Sequence, residues 1–380
     1  MIRLAKSTLN SSEANAVSRV ILDVGYLGMG AEVGDFEQAI SKFLKTDRTA
    51  VCVNTGTSAL HLAVEAVCPP NSEVLVPSLT YVASFQAIAA AGCRPIACDV
   101  DRETGLLGLK DAESRITKRT KAIMPVHYAG VPADMNLLAT FAKKHNLRVI
   151  EDAAHAFGSS FEGRLIGSIG DITCFSFDGI KNITSGEGGA ILSSDPDVIA
   201  RVRDARLLGV IKDSEKRLAG ERSWEFDVQF QGYRYHMSNL FAAIGLSQLA
   251  KAPDFFTKRQ QLTQRYYQAF KDHSGLKLFA LHEKHVVPHI YPIRVLHGLR
   301  DRLRETLLEQ GIETGIHYFP NHRLSLFKST SAMIPVVDEI YPQLLSLPLH
   351  PGLTEENQES VISAVEKGLQ ELAGYSKGGT

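Results

Sequence analysis

The stretch over residues 175–192, FSFDGIKNITSGEGGAIL, places one lysine, Lys181, between an apolar strand-like run and a glycine-rich corner at Gly186, Gly188 and Gly189. A lysine held away from water, or beside other cations, gives up its proton more readily and becomes a nucleophile toward carbonyls, so Lys181 reads as a Schiff-base lysine. Most lysines are solvated surface charges, and the groups elsewhere in the chain have to carry the case. In VIEDAAH an apolar run ends in two carboxylates, and Asp152 could there hold a protonated heterocyclic nitrogen through a charge-assisted bond, with His155 three residues on beside the same ligand. The plainer alternative is that Asp152 caps a helix and His155 is a satisfied core residue. In NTGTSAL the backbone amides at a helix start, with the Thr57 and Ser58 hydroxyls, form either an anion site or an ordinary N-cap. Ser176 stands five residues before Lys181.

An anion cup, a strand-end carboxylate, a serine and a lysine, in this chain order, match what pyridoxal 5'-phosphate requires of a protein. That cofactor needs its phosphate held, a carboxylate on its ring nitrogen, an amine partner and a flat group over its ring. Tyr81, in PSLTYVAS, can stack on the ring or else pack at a subunit interface. Glu187, His317 and Tyr318 are candidates to touch an amino donor or substrate, with a turn residue and small-domain packing as the alternatives.

These groups need elements to hold them. From residue 50 the pattern alternates strand and helix: AVCVN, EVLVP, PIACDV, AIMPV, RVIED, ITCFSF and GAILSS are strands, with helices over 57–67, 83–91, 109–116 and 134–145 between the first five. Such alternation implies an α/β fold, a mostly parallel sheet with helices on both faces, whose ligands bind beyond the carboxyl ends of the strands. A helix over 32–44 precedes the first strand and another, over 196–208, follows the last; 212–222 reads as an exposed loop. A long helix over 238–270 has a possible break at Pro253, HVVPHIYPIRVL reads as a strand, and helices form over DRLRETLLEQGI and, with a Thr354 cap, over TEENQESVISAVEKGLQELA. The expected organisation is a large domain over 1–250, with an N-terminal segment shared with the rest, and a smaller α+β domain over 251–380.

Composition narrows the function. Lys and Arg total 41 against 42 Asp and Glu, a balance that disfavours nucleic acid or an acidic membrane as the main partner. The five cysteines are odd in number and several sit in apolar strand-like runs, which suits free thiols in a reducing cytoplasm better than disulfides. Cys93 and Cys98 lack a second ligand pair at metal spacing, so no metal site is expected. The N-terminus has no apolar signal-like core and no run of about 18 apolar residues occurs, so neither secretion nor membrane insertion is expected. The spacing Gly28-x-Gly30-x-x-x-Gly34 misses the dinucleotide fingerprint and follows no clear strand, which counts against a nicotinamide-dependent sugar-nucleotide oxidoreductase.

NTGTSALHLAV, EVLVPSLTYVAS, PVHYAGVPADM, EDAAHAFGSSFEGRLIGSIGD, FSFDGIKNITSGEGGAIL, GYRYHMSNLFAAIG, GIHYFP and LSLPLHPGLT, in register from about residue 25 to 361, resemble consecutive motifs of the DegT/DnrJ/EryC1/StrS sugar-nucleotide aminotransferases, fold-type I pyridoxal-phosphate enzymes. The resemblance implies that Lys181 carries the cofactor, Asp152 pairs with its ring nitrogen, His155 sits near its phenolic edge, Thr57, Ser58 and Ser176 hold its phosphate, and Tyr81 stacks on its ring. It further implies a homodimer with shared sites, glutamate as amino donor and a keto-sugar linked to a nucleoside diphosphate as acceptor. Many relatives read GYNYR where this chain has Gly232-Tyr233-Arg234-Tyr235-His236; the asparagine usually reaches the neighbouring subunit's phosphate, and Arg234 or His236 would replace it. Family members that dehydrate the sugar instead carry histidine at the lysine position, so Lys181 argues for transamination.

Overall fold

The computed structural model describes residues 1–328 and 333–377. Two helices precede the first strand, α1 (Ser11–Arg19) and α2 (Ala31–Phe43), joined by a π turn. The main sheet then builds through β1 (Thr49–Val53), α3 (Gly56–Val67), β2 (Glu73–Pro77), α4 (Val82–Ala90), β3 (Arg94–Cys98), α5 (Leu109–Ser114), β4 (Thr120–Ile123), α6 (Met135–His145) and β5 (Arg148–Asp152). A hairpin of β6 (Ser160–Phe161) and β7 (Arg164–Leu165) leads into β8 (Ile172–Ser176) and β9 (Gly189–Ser193), followed by α7 (Pro196–Ala205) and α8 (Asp213–Leu218). The seven strands lie in the order β1-β9-β8-β5-β4-β2-β3, and β9 alone runs against the others. Successive strand residues point to opposite faces, and both faces here are apolar: Val51 and Val53 join the cluster under α3, α4 and α7, while Ala50 and Cys52 join the one under α2 and α6. Burial on both sides explains why these strands read as continuous apolar runs. All five cysteines are buried and unbridged.

The chain continues through α9 (Asn239–Phe270) to a three-stranded antiparallel sheet, β10 (Leu276–Leu278), β11 (Tyr291–Val295) and β12 (Leu344–Leu347), with α10 (Arg300–Glu309), α11 (Pro335–Ile340) and α12 (Glu355–Lys377). The Thr354 hydroxyl accepts from the Asn357 amide and caps α12. No described helix is long and apolar enough to cross a membrane.

Three expectations differ from what the fold shows. Helix α9 does not break at Pro253 but runs 32 residues through it. An interior proline costs about 3 kcal/mol, whereas burying Leu249, Ala252 and Phe256 on the flanking turns is worth roughly 1.5–3 kcal/mol for each large side chain. Packing wins, and the same helix carries the chain past residue 250 without interruption. The stretch over 212–222 is not simply a loop, because α8 forms there around buried Asp213 and Ser214, with Arg217 paired back to Asp213 at 2.6 Å. HVVPHIYPIRVL becomes strand only at Tyr291; before it, Val287 and His289 donate their amides to Ser159 Oγ and the Ala129 carbonyl instead of a ladder. The N-terminus also holds a helix that was not expected, α1, whose Asn10 and Glu13 form a reciprocal capping box. Ahead of it Ile2 pairs with Ile312, so the first residues add to the C-terminal part of the fold.

Candidate active site

At the carboxyl ends of β1, β2, β5 and β8 the chain turns toward one cavity of about 410 Å³. Lys181, Asp152, His155, Ser176, Tyr81 and Thr57 all line it, as do Glu187, His317 and Tyr318. Thus residues spread over more than 250 positions meet at the place the sheet topology dictates.

One corner is built for an anion. Thr55 caps α3, accepting from the Ser58 amide at 3.0 Å, and the following amides open toward Ser176. The contact is close: a Cβ on Gly56 would lie 2.7 Å from Ser176 Cβ, and one on Gly189 would lie 2.5 Å from the Thr55 carbonyl oxygen. A helix N-terminus of this length, bare backbone and two hydroxyls suit a phosphate. Thr57 is exposed on the cavity's lip. Ser58 is not on the lining: it is buried, and its hydroxyl bonds Asn54 Oδ1 at 2.7 Å and Thr55 Oγ1 at 2.9 Å. It supports the cup from behind.

Asp152 ends β5, which is fixed by pairing with Cys174 on one side and Val126 on the other. One carboxylate oxygen accepts from the Ser84 hydroxyl at 2.7 Å and the other from the Ala154 amide at 3.2 Å. Thr80 meets Ser84 in turn at 2.9 Å. A buried carboxylate needs such donors, and this one still faces the cavity.

Lys181 sits on the turn between β8 and β9, tied by its amide to the Asp178 carbonyl, while Asn182 bonds the carbonyls of Phe157 and Val287 and locks the turn to both parts of the fold. Enclosure lowers the Lys181 pKa to about 8; Asp178 and Asp152 oppose that shift and the Arg259 charge adds to it. The amine therefore loses its proton far more easily than an ordinary lysine.

The opposite wall is imidazole and phenol. His155 Nδ1 accepts from the Ala129 amide at 3.3 Å, so the ring proton lies on Nε2, 2.9 Å from Tyr318 Oη. Burial, then the Lys181 charge, holds His155 well below the usual histidine range, and His317 is pushed down to about 4 by the same two causes. His317 Nδ1 meets Ser346 Oγ at 2.8 Å. Burial raises the Tyr318 phenol. Tyr81 is 58% exposed, with its ring 5.6 Å from that of Tyr318 at the cavity mouth. Glu187 is exposed at the rim, and desolvation nevertheless raises its carboxyl.

Arg234 and His236 do not join this cavity. They line a separate cleft with Leu208, Arg217 and Phe226, beside Trp224, which is 84% exposed. Arg234 is itself exposed, and burial brings His236 down to about 4. Sequence reasoning missed Thr55, Thr80 and His289 on the cavity lining and Ser84 behind it. Thr55 was readable as the residue before a Gly-Thr-Ser helix start; the others have no local signal.

Residues 8–366 match the DegT/DnrJ/EryC1/StrS aminotransferase family. The chain belongs to it. An uncharacterized protein of Methanocaldococcus jannaschii, MJ1066, is 34% identical over 357 residues, 91% of this chain and 92% of that one. Among solved structures, Helicobacter pylori PseC, an aminotransferase involved in the biosynthesis of pseudoaminic acid, superposes with a TM-score of 0.90 at 26% identity, covering 97% of this chain and 99% of its own. Streptococcus pneumoniae Spr1654, in its PLP form, gives 0.88 at 27% identity over 97% and 99% of the two chains. This chain is accordingly a pyridoxal-phosphate-dependent aminotransferase. The anion corner, the strand-end carboxylate and the enclosed lysine fit that cofactor.

Proposed function

We propose that this aminotransferase moves an amino group from glutamate to a keto-sugar carried on a nucleoside diphosphate, in amino-sugar and polysaccharide biosynthesis in the cytoplasm. The observation that carries the reading is the enclosure of Lys181, with its lowered pKa, in one cavity with Asp152 and the amide corner at Thr55 to Thr57. PseC's part in pseudoaminic acid biosynthesis supports an amino sugar as the product class.

Pyridoxal phosphate, when bound, supplies the electron sink that makes a donor's α-proton acidic. The Thr57 hydroxyl, the α3 amides and Ser176 would hold the phosphate, with Ser58 bracing them. Asp152, oriented by the Ser84 hydroxyl, would pair with the ring nitrogen. Tyr81 would cover the ring face and His155 would lie beside its phenolic edge. Lys181 would carry the cofactor and, as a free amine, its Nζ would take the proton from the donor's α-carbon, which its lowered pKa permits near neutral pH. Glu187, His317 and Tyr318 face the sugar. In the homodimer, Arg234 or His236 reaches the neighbouring subunit's phosphate from the cleft beside Trp224.

The test is glutamate-dependent amination across dTDP-, UDP- and GDP-linked keto-sugars. Amination of at least one by the wild type, lost in Lys181→Ala together with the visible absorbance of lysine-bound cofactor, is the expected result. A colourless protein that cannot be loaded with cofactor, or no turnover of any of these sugars, would overturn the reading.

A further inference from the structure

His289 lies directly against the reactive amine, with Nε2 3.4 Å from Lys181 Nζ. It is 4% exposed, and its Nδ1 has no hydrogen-bond partner among the described residues. A stranded buried N–H is costlier than a stranded acceptor lone pair. The proton of the neutral ring therefore belongs on Nε2, pointing at the lysine. Two anchors fix the ring's place: the His289 amide donates to the Ala129 carbonyl at 2.9 Å, and its carbonyl accepts from Arg259 Nη1 at 3.0 Å. Arg259, on α9, is 1% exposed, and among the described residues its hydrogen bonds go to the carbonyls of Pro288, His289 and Leu349 and to no carboxylate.

We propose that His289 is a positioning residue for Lys181: its Nε2–H grips the lone pair of the free amine and keeps that amine aimed and uncharged. This rests on the reading of Lys181 as the reacting amine. An ammonium at the same place would need Nε2 as an acceptor, which moves the ring proton to Nδ1 and strands it. Burial, then the Lys181 charge when that amine is protonated, with Arg259 adding to it, holds His289 well below the usual histidine range, so the ring stays neutral through the working pH range. Around the pair, Asp178 and Asp152 favour the ammonium, Arg259 disfavours it, and His155 and His317 are neutral rings on the remaining sides.

The test is read on the cofactor-free, full-length chain. Arylation of Lys181 by trinitrobenzenesulfonate, located by peptide mass spectrometry, is followed against pH. The wild-type midpoint should lie near 8. In His289→Gln, and independently in His289→Asn, a side-chain carbonyl can accept from the ammonium, and the midpoint should rise by about one pH unit or more. A midpoint unchanged or lowered in either variant that keeps the wild-type circular dichroism and Tm overturns the proposal. Nitrogen chemical shifts of His289 in the wild type give a check that needs no variant: a protonated Nε2 with a bare Nδ1 is expected, and the opposite tautomer overturns the proposal. Loading with pyridoxal phosphate is scored separately by absorbance. A wild type that never colours defeats the proposed function while leaving the midpoint comparison intact.

Discussion

The two walls of the Lys181 cavity are built on different principles. The sheet wall, formed by the ends of β1, β5 and β8, takes its geometry from strand register and is polar: Asp152 is held by two donors, and the α3 amides present their positive end. The facing wall, His289, His317 and Tyr318 with His155 bonded across to it, carries no charge at neutral pH and takes its geometry from loops pinned between the two sheets. One side holds ions in place. The other excludes them, and the lysine between them titrates near 8 because the second effect exceeds the first.

Acid should break the uncharged wall first, and with the largest effect. The folded pKa values of His155, His289 and His317 lie below the free-histidine value, so the unfolded chain binds protons first as pH falls. Stability is fully present above about pH 6.5 and declines below it. Between pH 6.5 and 5 each ring contributes at most about 2 kcal/mol to that decline. Thermal unfolding of the cofactor-free protein should show Tm dropping across this window, with a flatter curve in His317→Asn; a Tm constant from pH 7 to 5 would mean the wall is not neutral in the fold.

The sheet wall is probed by Asp152→Asn, which keeps the shape and removes the charge. A charged hydrogen bond contributes about 1.5–3 kcal/mol, so kcat should fall roughly 10- to 100-fold. Tm should move little, because the Asn carbonyl can keep the Ala154 amide while its NH2 donates to the Ser84 hydroxyl oxygen. Equal turnover in wild type and variant would show that the carboxylate is not the group that keeps the ring nitrogen protonated.

The same division decides what could be read from the sequence. The sheet wall was legible because each of its residues ends an apolar run: RVIED stops at Asp152, ITCFS stops at Ser176, and strands buried on both faces announce themselves. The rule that ligands gather at strand ends then brings Asp152, Lys181 and the Thr55 corner together without knowing any contact. His289 follows no such rule. It precedes β11 by two positions, within a run that reads as strand, and it reaches Lys181 only because Val287 and His289 bond Ser159 and Ala129 rather than a neighbouring strand. Long-range pinning of that kind has no local pattern. Pro253 failed for a related reason, since whether a proline ends a helix depends on what its flanks bury. Arg234 and His236 are the remaining case: their types suggested a cofactor contact, and within one chain they line a different cleft.

The smallest effect tests whether the two walls are coupled. Among the described residues, the Tyr318 hydroxyl makes the side-chain bond that reaches the His155 ring from beyond α9, at 2.9 Å, and His155 in turn is fixed to the Ala129 amide at 3.3 Å. Tyr318→Phe removes that bond and leaves the ring packed beside Tyr81. A neutral hydrogen bond is worth about 0.5–1.5 kcal/mol, so a loss of up to about tenfold in kcat/KM is the most that geometry allows. Because His155 Nε2–H would lose its acceptor while Nδ1 keeps its amide, the His155 ring should retain its tautomer and only loosen. Activity lowered within that limit, with the Lys181 arylation midpoint unchanged, would mean that the phenol orients His155 and leaves the lysine to His289. A shifted midpoint would instead make Tyr318 part of the device that keeps the amine uncharged, and the two walls would then act as one.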